Sequence, residues 1–216
     1  MQNTKELEQI LGFLHQMSAV KNLLRYKGMP GWEHAHIERW DSVAEHQWRF
    51  ALMAVMYHKY IADKPDLLKT VKMILVHDIV ELLAVDYSPV ATHKGAGGHA
   101  FSDKAYTTKF EREEAAAHEI FRSLPEEQRD ECIALWREYA MTKLEPETST
   151  PEGRYAYALD KLEAQIQIVD WNGGGTWTAE RTEQSKKYAG EWSAYDPALS
   201  YVCNLLVEEM RRFEKK

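Results

Sequence analysis

His77 and Asp78 are neighbours inside a mostly apolar run that extends from Val71 to Leu83. Charged side chains are almost never buried in such a setting without a partner, because an uncompensated buried charge is strongly disfavoured. Imidazole and carboxylate groups both bind divalent cations, so a metal ion is a natural partner for this pair. The pair therefore predicts a metal site, provided that other parts of the chain supply further ligands.

Two residues on other predicted helices complete a set of four ligands. His46 shares the helical spacing of Val43 and Phe50, which puts its imidazole on an inward face. Asp160 lies next to Leu159 in a buried apolar stripe. Taken alone, a buried histidine is usually a satisfied core residue, and an aspartate on a helix usually faces solvent. The combination of all four residues favours a metal site.

Two histidines and two aspartates make a mixed nitrogen and oxygen ligand set. Such a set suits Mn²⁺, Fe²⁺, Co²⁺, Ni²⁺ or Zn²⁺, and Mg²⁺ less well. We expect one divalent ion per chain, with coordination positions left open for water. On a continuous helix, His77, Asp78 and Glu81 would also lie within one arc of about 100°. The helical spacing therefore adds a third polar group to the same patch.

The composition indicates a globular protein that forms one domain. Of the 216 residues, 44% are hydrophobic and 28% are charged, which is enough for a substantial core. The formal net charge of −7 argues against binding of a nucleic-acid polymer. A small anion is still compatible with this charge, because one cation and a metal ion reverse the local potential.

The compartment is predicted from the cysteines and from the apolar runs. Cys132 and Cys203 are far apart and outside any CxxC spacing, which indicates reduced core thiols. The first residues lack the basic-then-apolar order of a signal peptide. No apolar run approaches the roughly 20 residues that cross a bilayer. We expect a cytoplasmic protein without membrane association.

Helical signals dominate the chain and predict an all-α fold with the metal site between core helices. A capping box, Ser42-Val-Ala-Glu45, and the cap Asp63-Lys-Pro65 begin two of the helices. The predicted helices cover about 4–27, 42–61, 104–122, 123–142, 154–171 and 178–189, with one from 63 that carries His77, Asp78 and Glu81 and a last one from 196. Two long loops, 28–41 and 85–103, connect them. Trp32 and Trp40 in the first loop are candidates for stacking on a base, but such residues more often cover the core or a subunit interface.

Three segments resemble the motifs of a known family. Ser42-Val-Ala-Glu-His46, His77-Asp78-Ile-Val-Glu81-Leu-Leu-Ala-Val-Asp86 and Leu159-Asp160-Lys-Leu are similar to the H…HD…D signature of HD-domain metal-dependent phosphohydrolases. The second motif is most similar to that of the 5′-deoxynucleotidase branch. The resemblance covers about 23–171. It implies a single HD domain over 1–216, with helices at 178–215 packing on its core.

The resemblance also implies a role for each residue of the motifs. His46, His77, Asp78 and Asp160 would bind the metal ion, and the carboxylates of Glu81 and Asp86 would take part in catalysis. The activity would be release of phosphate from (deoxy)ribonucleoside 5′-monophosphates by an activated water, in a homodimeric protein.

An arginine near the end of the first helix would contact the substrate phosphate in this family. Arg25 matches that position, with Arg39 as the alternative. In the deoxyribose-selective members a tryptophan follows the arginine, whereas this chain has Tyr26. The preference for deoxyribose over ribose therefore stays open.

Two rival functions remain compatible with the motifs. A dinuclear HD-type phosphodiesterase or di-iron oxygenase would need two more histidines, and His99 and His118 are available. Their settings argue against this role, since His99 lies among glycines and His118 follows three alanines in a charged helix. A non-catalytic, metal-stabilised module that binds nucleotides would need neither Glu81 nor Asp86.

Overall fold

The computed structural model describes residues 2–29, 31–84 and 102–215. Within these ranges the chain forms eight α-helices and no β-strand, which confirms the all-α prediction. The helices are α1 (Gln2–Gln16), α2 (Val43–Tyr57), α3 (Leu67–His77), α4 (Asp103–Phe121), α5 (Glu126–Leu144), α6 (Pro151–Asp170), α7 (Ala179–Ser193) and α8 (Pro197–Arg211). None of the described helices is both long enough and apolar enough to cross a membrane.

Helix α6 is the central element of the fold. It packs against α2, α3, α5, α7 and α8, and most of its residues are buried. Phe50, Ile74 and Leu162 bring α2, α3 and α6 together in the main core, and all three are fully buried. A second core lies between α4, α5 and the segment after α3. Because α6 is surrounded, a polar residue on its inward face must find its partner inside the protein.

The start of α2 follows the predicted capping box. The Ser42 hydroxyl accepts a hydrogen bond from the Glu45 backbone N–H, and the Glu45 carboxylate accepts one from the Ser42 N–H. This double cap fixes the register of α2. Val43, His46 and Phe50 all lie on its buried face, as their spacing predicted.

The first helix is shorter than predicted. Helix α1 ends at Gln16, and a 3-10 helix (Met17–Asn22) follows it. Arg25 then follows an isolated antiparallel bridge between Leu24 and Ser42, and its N–H donates to the Asp41 carbonyl at 2.8 Å. A long-range backbone partner therefore replaces the helical hydrogen bonds that local spacing had suggested.

Helix α3 starts later and ends earlier than predicted. Its N-cap is Asp66, whose carboxylate accepts from the Lys69 N–H, so the prediction of a cap at Asp63 was wrong. The helix ends at His77, and a 3-10 helix (Ile79–Leu82) follows Asp78. The expected continuous helical arc through His77, Asp78 and Glu81 therefore does not form. Asp78 and Glu81 therefore do not have the positions relative to His77 that a continuous α-helix would give them.

Candidate metal centre

The start of α2, the end of α3 and the middle of α6 bring together the four predicted ligands. His46 Nε2 of α2 lies 3.3 Å from Asp160 Oδ1 of α6 and 3.5 Å from Asp78 Oδ2. His77 Nε2, at the end of α3, lies 3.1 Å from Asp78 Oδ1. Ligand atoms of His46, His77 and Asp160 all lie within 4.8 Å of one another. Atoms around an ion with bond lengths of about 2.1 Å are separated by about 3 to 4 Å, so the spacing fits one ion.

Both imidazoles are held by their outer nitrogen. His77 Nδ1 donates to the Ile74 carbonyl at 2.8 Å, since a carbonyl oxygen only accepts. His46 Nδ1 donates to the carboxylate of Glu163, which lies three residues after Asp160 on α6. A metal-binding histidine is usually oriented in this way by a carbonyl or carboxylate on its other nitrogen. The two Nε2 atoms therefore point towards the same space.

These two inner nitrogens lack a hydrogen-bond partner among the described residues, although both are buried. Buried polar atoms normally have a hydrogen-bond partner, and neither nitrogen has one of good geometry, although carboxylate oxygens of Asp78 and Asp160 lie 3.1 to 3.5 Å away. A divalent cation bound between the nitrogens and the carboxylates would satisfy all of them at once. The residues present therefore fit a metal ion.

The carboxylate of Asp160 is oriented by two neighbours. Its Oδ2 accepts from the Tyr139 hydroxyl at 2.7 Å and from the ammonium of Lys161. This leaves Oδ1 on the side of His46. Burial favours the neutral form of Asp160, but Lys161 and the nearby imidazoles outweigh it and hold its pKa well below the usual range. The carboxylate is therefore ionised at neutral pH, as a metal ligand must be.

Glu163 is a buried anion surrounded by cations. It is fully buried, and it accepts from Arg25 Nη1 at 2.9 Å and from Arg49 Nε at 2.7 Å. Burial raises the pKa of Glu163, but His46 and the two arginines outweigh burial and lower it to about 2. Glu163 therefore keeps a permanent negative charge behind His46.

We expect metal binding to release a proton from His46. Burial and Arg25 lower the pKa of His46, but the carboxylates of Glu163 and Asp160 outweigh them and raise it from 6.5 to about 9. A metal ion needs the Nε2 lone pair, so below about pH 9 the ion competes with a proton. Affinity should thus rise by up to about tenfold per pH unit as the pH approaches 9 and then level off.

Isothermal titration of the metal-stripped protein in buffers of different ionisation enthalpy measures this release directly. About one proton should leave per ion at pH 7.5. If the heat of binding at that pH did not depend on the buffer, metal binding would not release a proton from His46.

A cavity of about 90 Å³ is lined by three of the four predicted ligands, His77, Asp78 and Asp160. Its wall carries both signs of charge, with the carboxylates near His77 and the cations Arg25, Lys109 and Lys161 around them. This volume corresponds to roughly six to nine water molecules, at about 10–15 Å³ each. The cavity can therefore hold a phosphate group and the waters around it.

The structure separates the two candidate phosphate-binding arginines. The side chain of Arg25 is only 11% exposed, lines the cavity and forms its ion pair with Glu163. Arg39 is 76% exposed and pairs with Glu45 outside the cavity. The Arg25 side chain is therefore placed to contact a phosphate at the metal centre, whereas Arg39 does not line this cavity.

The remaining candidates lie in different places. Glu81 lines the cavity beside Asp78, in the 3-10 helix that follows α3. Asp86 and His99 lie outside the described residues. His118 is exposed on α4 and does not line the cavity, so the structure does not bring it to a second metal site.

Sequence reasoning missed three residues that shape the centre: Glu163, Tyr139 and Lys161. Glu163 could have been found, because a carboxylate three positions after Asp160 lies on the same inward face of α6. Tyr139 carried no comparable local signal. Its hydroxyl meets Asp160 only because α5 packs against α6.

The chain is similar to a known family and to proteins with stated activities. The model of the HD domain family matches residues 20–196. The 5′-deoxynucleotidase HDDC2 of Homo sapiens is 28% identical over 162 residues, which cover 75% of this chain and 68% of that protein. The protein of the same name from Dictyostelium discoideum is 30% identical over 147 residues, covering 65% and 68%.

A solved structure is similar over nearly the whole chain. It is described as a predicted metal-dependent phosphohydrolase from Magnetospirillum magnetotacticum MS-1 and is 27% identical. The TM-score is 0.70, and the match covers 97% of this chain and 94% of that one. The family match spans the residues that supply all four predicted ligands. The chain belongs to the HD domain family.

Proposed function

We propose that this protein is a metal-dependent phosphohydrolase that releases phosphate from (deoxy)ribonucleoside 5′-monophosphates. The observation that carries the proposal is the pair of buried Nε2 atoms, of His46 and His77, that face two carboxylates beside a cavity with a cationic wall. The names of the relatives, 5′-deoxynucleotidases, support this substrate class.

His46, His77, Asp78 and Asp160 would hold one divalent ion per chain, with Mn²⁺, Co²⁺, Fe²⁺, Ni²⁺, Zn²⁺ and Mg²⁺ as candidates. When bound, such an ion supplies Lewis-acid chemistry: it lowers the pKa of water towards about 7 and offsets the charge of the phosphate. The protein contributes a fixed ligand geometry, because each of three ligands has its outer atom held by Glu163, Ile74 or Tyr139.

Arg25 binds the substrate phosphate in this proposal. Its guanidinium is a permanent cation suited to phosphate oxygens, and burial beside Glu163 keeps it in one place. Lys161 extends the same cationic wall and is itself held by Asp160. With a bound metal ion offsetting the carboxylates of the cavity, these cations attract the dianionic phosphate group, although the whole protein is acidic.

Glu81 orients the attacking water and accepts its proton, and Asp86 supplies a proton to the leaving nucleoside oxygen. Glu81 lies on the cavity wall within one turn of Asp78, which suits the first role. A carboxylate in the second role needs a raised pKa. For Asp86 this assignment rests on the sequence motif alone, because Asp86 lies outside the described residues.

Replacing Glu81 with glutamine should lower kcat by roughly 10²- to 10⁴-fold, because a general base is lost. The amide keeps the size of the side chain, so metal content should not change. Phosphate release and metal analysis on the same sample measure both quantities. Glu119→Gln, which alters an exposed carboxylate paired with Arg122 on α4, is the matched control. Full activity of Glu81→Gln at full metal occupancy would exclude the catalytic role.

The rival functions make different predictions. Among the described residues, one cluster of potential ligands is found and His118 is exposed, which favours one ion over two. Two ions per chain by metal analysis would favour the dinuclear phosphodiesterase or di-iron oxygenase. Nucleotide binding without turnover at full metal occupancy would favour the non-catalytic module.

The proposal includes a single HD domain, a cytoplasmic location and a homodimer. Helices α7 and α8 pack on α6, and Leu199 and Cys203 contribute to the main core, which supports one domain. The two free cysteines suit a reducing compartment. An exposed apolar stripe on α2 supports association with a second copy, and light scattering in solution tests it. The stripe comprises Trp48, Leu52, Val55 and Met56.

One experiment tests the function directly. Phosphate release is measured from a panel of ribo- and deoxyribonucleoside 5′-monophosphates, each with a series of divalent ions. We expect turnover that needs the ion and that a chelator abolishes. Inactivity on every monophosphate, with turnover of cyclic or diphosphate nucleotides instead, would contradict the proposal.

A further inference from the structure

A second cavity of about 80 Å³ lies next to the metal-centre cavity. The two share four lining residues, Tyr26, Lys161, Ala164 and Tyr188, so they adjoin each other. At about 10–15 Å³ per water molecule, the second cavity has room for roughly five to eight waters. A ligand anchored at the metal centre could therefore extend into it.

Aromatic rings and one guanidinium form the far side of this cavity. The guanidinium carbon of Arg181 lies 4.2 Å from the ring centroid of Trp177 and 4.9 Å from that of Trp32. Trp177 is fixed in turn, because its indole N–H donates to the Thr182 hydroxyl at 3.0 Å. The planar guanidinium is thus held in place by two buried rings, as an arginine built into a recognition site would be.

Arg181 differs from the arginines around the metal centre. Arg25 and Arg49 each form an ion pair with Glu163 within 3 Å. Within the described ranges, the guanidinium of Arg181 has neither a hydrogen bond nor an ion pair, and Glu33 acts on it only at longer range. Burial lowers its pKa, which indicates that the protein does not offset the cost of placing this cation there.

The position of Arg181 also argues against a role in helix stability. It lies in the first turn of α7, where Thr178 is the N-cap. A cation in the first turn of a helix is disfavoured by the helix dipole. The half-buried charge therefore has a use other than stabilising α7.

We propose that the second cavity binds the base of a nucleotide whose phosphate lies at the metal centre, with a base acceptor accepting from the Arg181 guanidinium. A base has flat apolar faces that match the aromatic wall, and ring nitrogens and carbonyls on its edge that match the donors of arginine. Tyr26 and Tyr188, where the cavities meet, flank the sugar. The inference rests on the proposed function.

The test compares substrates with and without a base. Arg181→Met keeps the length of the side chain and its contact with the indoles but removes the charge and the donors. For nucleoside 5′-monophosphates we expect kcat/KM to fall about 10- to 100-fold, mainly through KM, because a hydrogen bond to a charged group is lost. For 2-deoxyribose 5-phosphate, which has no base, kcat/KM should not change.

Two further variants make the comparison specific. Arg211→Met removes an exposed arginine that pairs with Glu183 and Glu208 on the surface, and it should leave both substrates unaffected. Arg181→Lys keeps the charge but loses the planar fork, so it should still impair the nucleotides selectively if Arg181→Met does not fold. Equal loss on both substrates, or no loss in either Arg181 variant, would overturn the inference.

A binding measurement separates this inference from the proposed function. Quenching of tryptophan fluorescence by nucleoside 5′-monophosphate should be strong in the wild-type protein, weak in Arg181→Met and absent with 2-deoxyribose 5-phosphate. If no substrate is turned over but this pattern of binding holds, the base site stands and the phosphohydrolase proposal fails. If nucleotides are turned over but binding does not depend on the base, the base site is wrong.

Discussion

Replacing His77 with alanine is expected to abolish metal binding and to lower phosphate release by roughly 10³-fold or more. In the proposed metal centre the imidazole supplies one of two nitrogen ligands, and its Nε2 lies 3.1 Å from Asp78 Oδ1. Without it, the remaining carboxylates and His46 have to bind the ion alone. The lowered pKa of water, which makes a nucleophile available at neutral pH, is then lost.

Two measurements on the same sample check this prediction: metal content after dialysis, and phosphate release from a deoxynucleoside 5′-monophosphate. The matched control is His118→Ala, which removes an exposed imidazole from α4. The control should keep full activity and one ion per chain. If His118→Ala also lost an ion, a dinuclear centre would replace the mononuclear one.

His77→Ala also tests the physical cause of the site. The metal-stripped variant should be less stable than the metal-stripped wild-type protein, because removal of the buried ring leaves a cavity beside the Asp78 carboxylate. Added metal should raise the free energy of unfolding of the wild-type protein but not that of the variant. A variant that retained both the ion and the activity would show that the four residues do not form the metal centre.

Glu163→Gln is expected to reduce both stability and metal affinity. The substitution leaves Arg25 and Arg49 facing a neutral amide in a buried position. Removing one partner of a buried ion pair costs about 3–5 kcal/mol of unfolding free energy. We expect a loss of about 3 kcal/mol, the lower limit, because Arg49 keeps Asp170 and the amide oxygen still accepts a hydrogen bond.

The effect on the metal ion follows from the contact with His46. An amide holds the Nδ1–H less strongly than a carboxylate, and loss of such an outer partner typically lowers metal affinity by about 10- to 100-fold. Activity should therefore fall at limiting metal and recover largely at saturating metal. A variant that lost a direct ligand would not recover in this way.

The pH dependence of stability gives a third readout for Glu163. The carboxylate has a pKa of about 2 in the folded protein and an ordinary value of 4.5. Its contribution to the free energy of unfolding is present in full above about pH 4.5 and is lost as the pH falls towards 2. The difference between the wild-type protein and Glu163→Gln should shrink over this range.

Urea unfolding over a range of pH and isothermal titration with a divalent ion measure these effects. Glu131→Gln is the control, because Glu131 is half exposed and pairs with Lys72 at the surface. Its effect on the free energy of unfolding should stay below about 1 kcal/mol. If Glu163→Gln changed neither the free energy of unfolding nor the metal affinity, Glu163 would not be the residue that orients His46.

The chemistry and the class of fold could be predicted from local patterns. The capping box at Ser42 and the spacing of Val43, His46 and Phe50 place the imidazole on the inward face of α2, because both signals act within a few residues. The types of the four ligands likewise required no tertiary information. The spacing of the apolar residues around them already predicts that these positions are buried.

The ends of the elements around the site could not be predicted in the same way. Periodicity suggested a continuous helix through Asp78 and Glu81, but α3 ends at His77 and the chain tightens into a 3-10 turn. Arg25 was expected near a helix terminus, but its backbone pairs with that of Asp41. In both cases packing and long-range hydrogen bonds outweighed local propensity.

The sequence by itself determined which groups can bind a metal ion and that helices carry them. The tertiary structure decided what holds and surrounds those groups. His46 and Glu163 are 117 residues apart, and Arg181 reaches the second cavity from a different helix than any predicted ligand. The reason is physical: spacing fixes the face of a helix that a residue occupies, but only the packing of helices fixes its partner across the core.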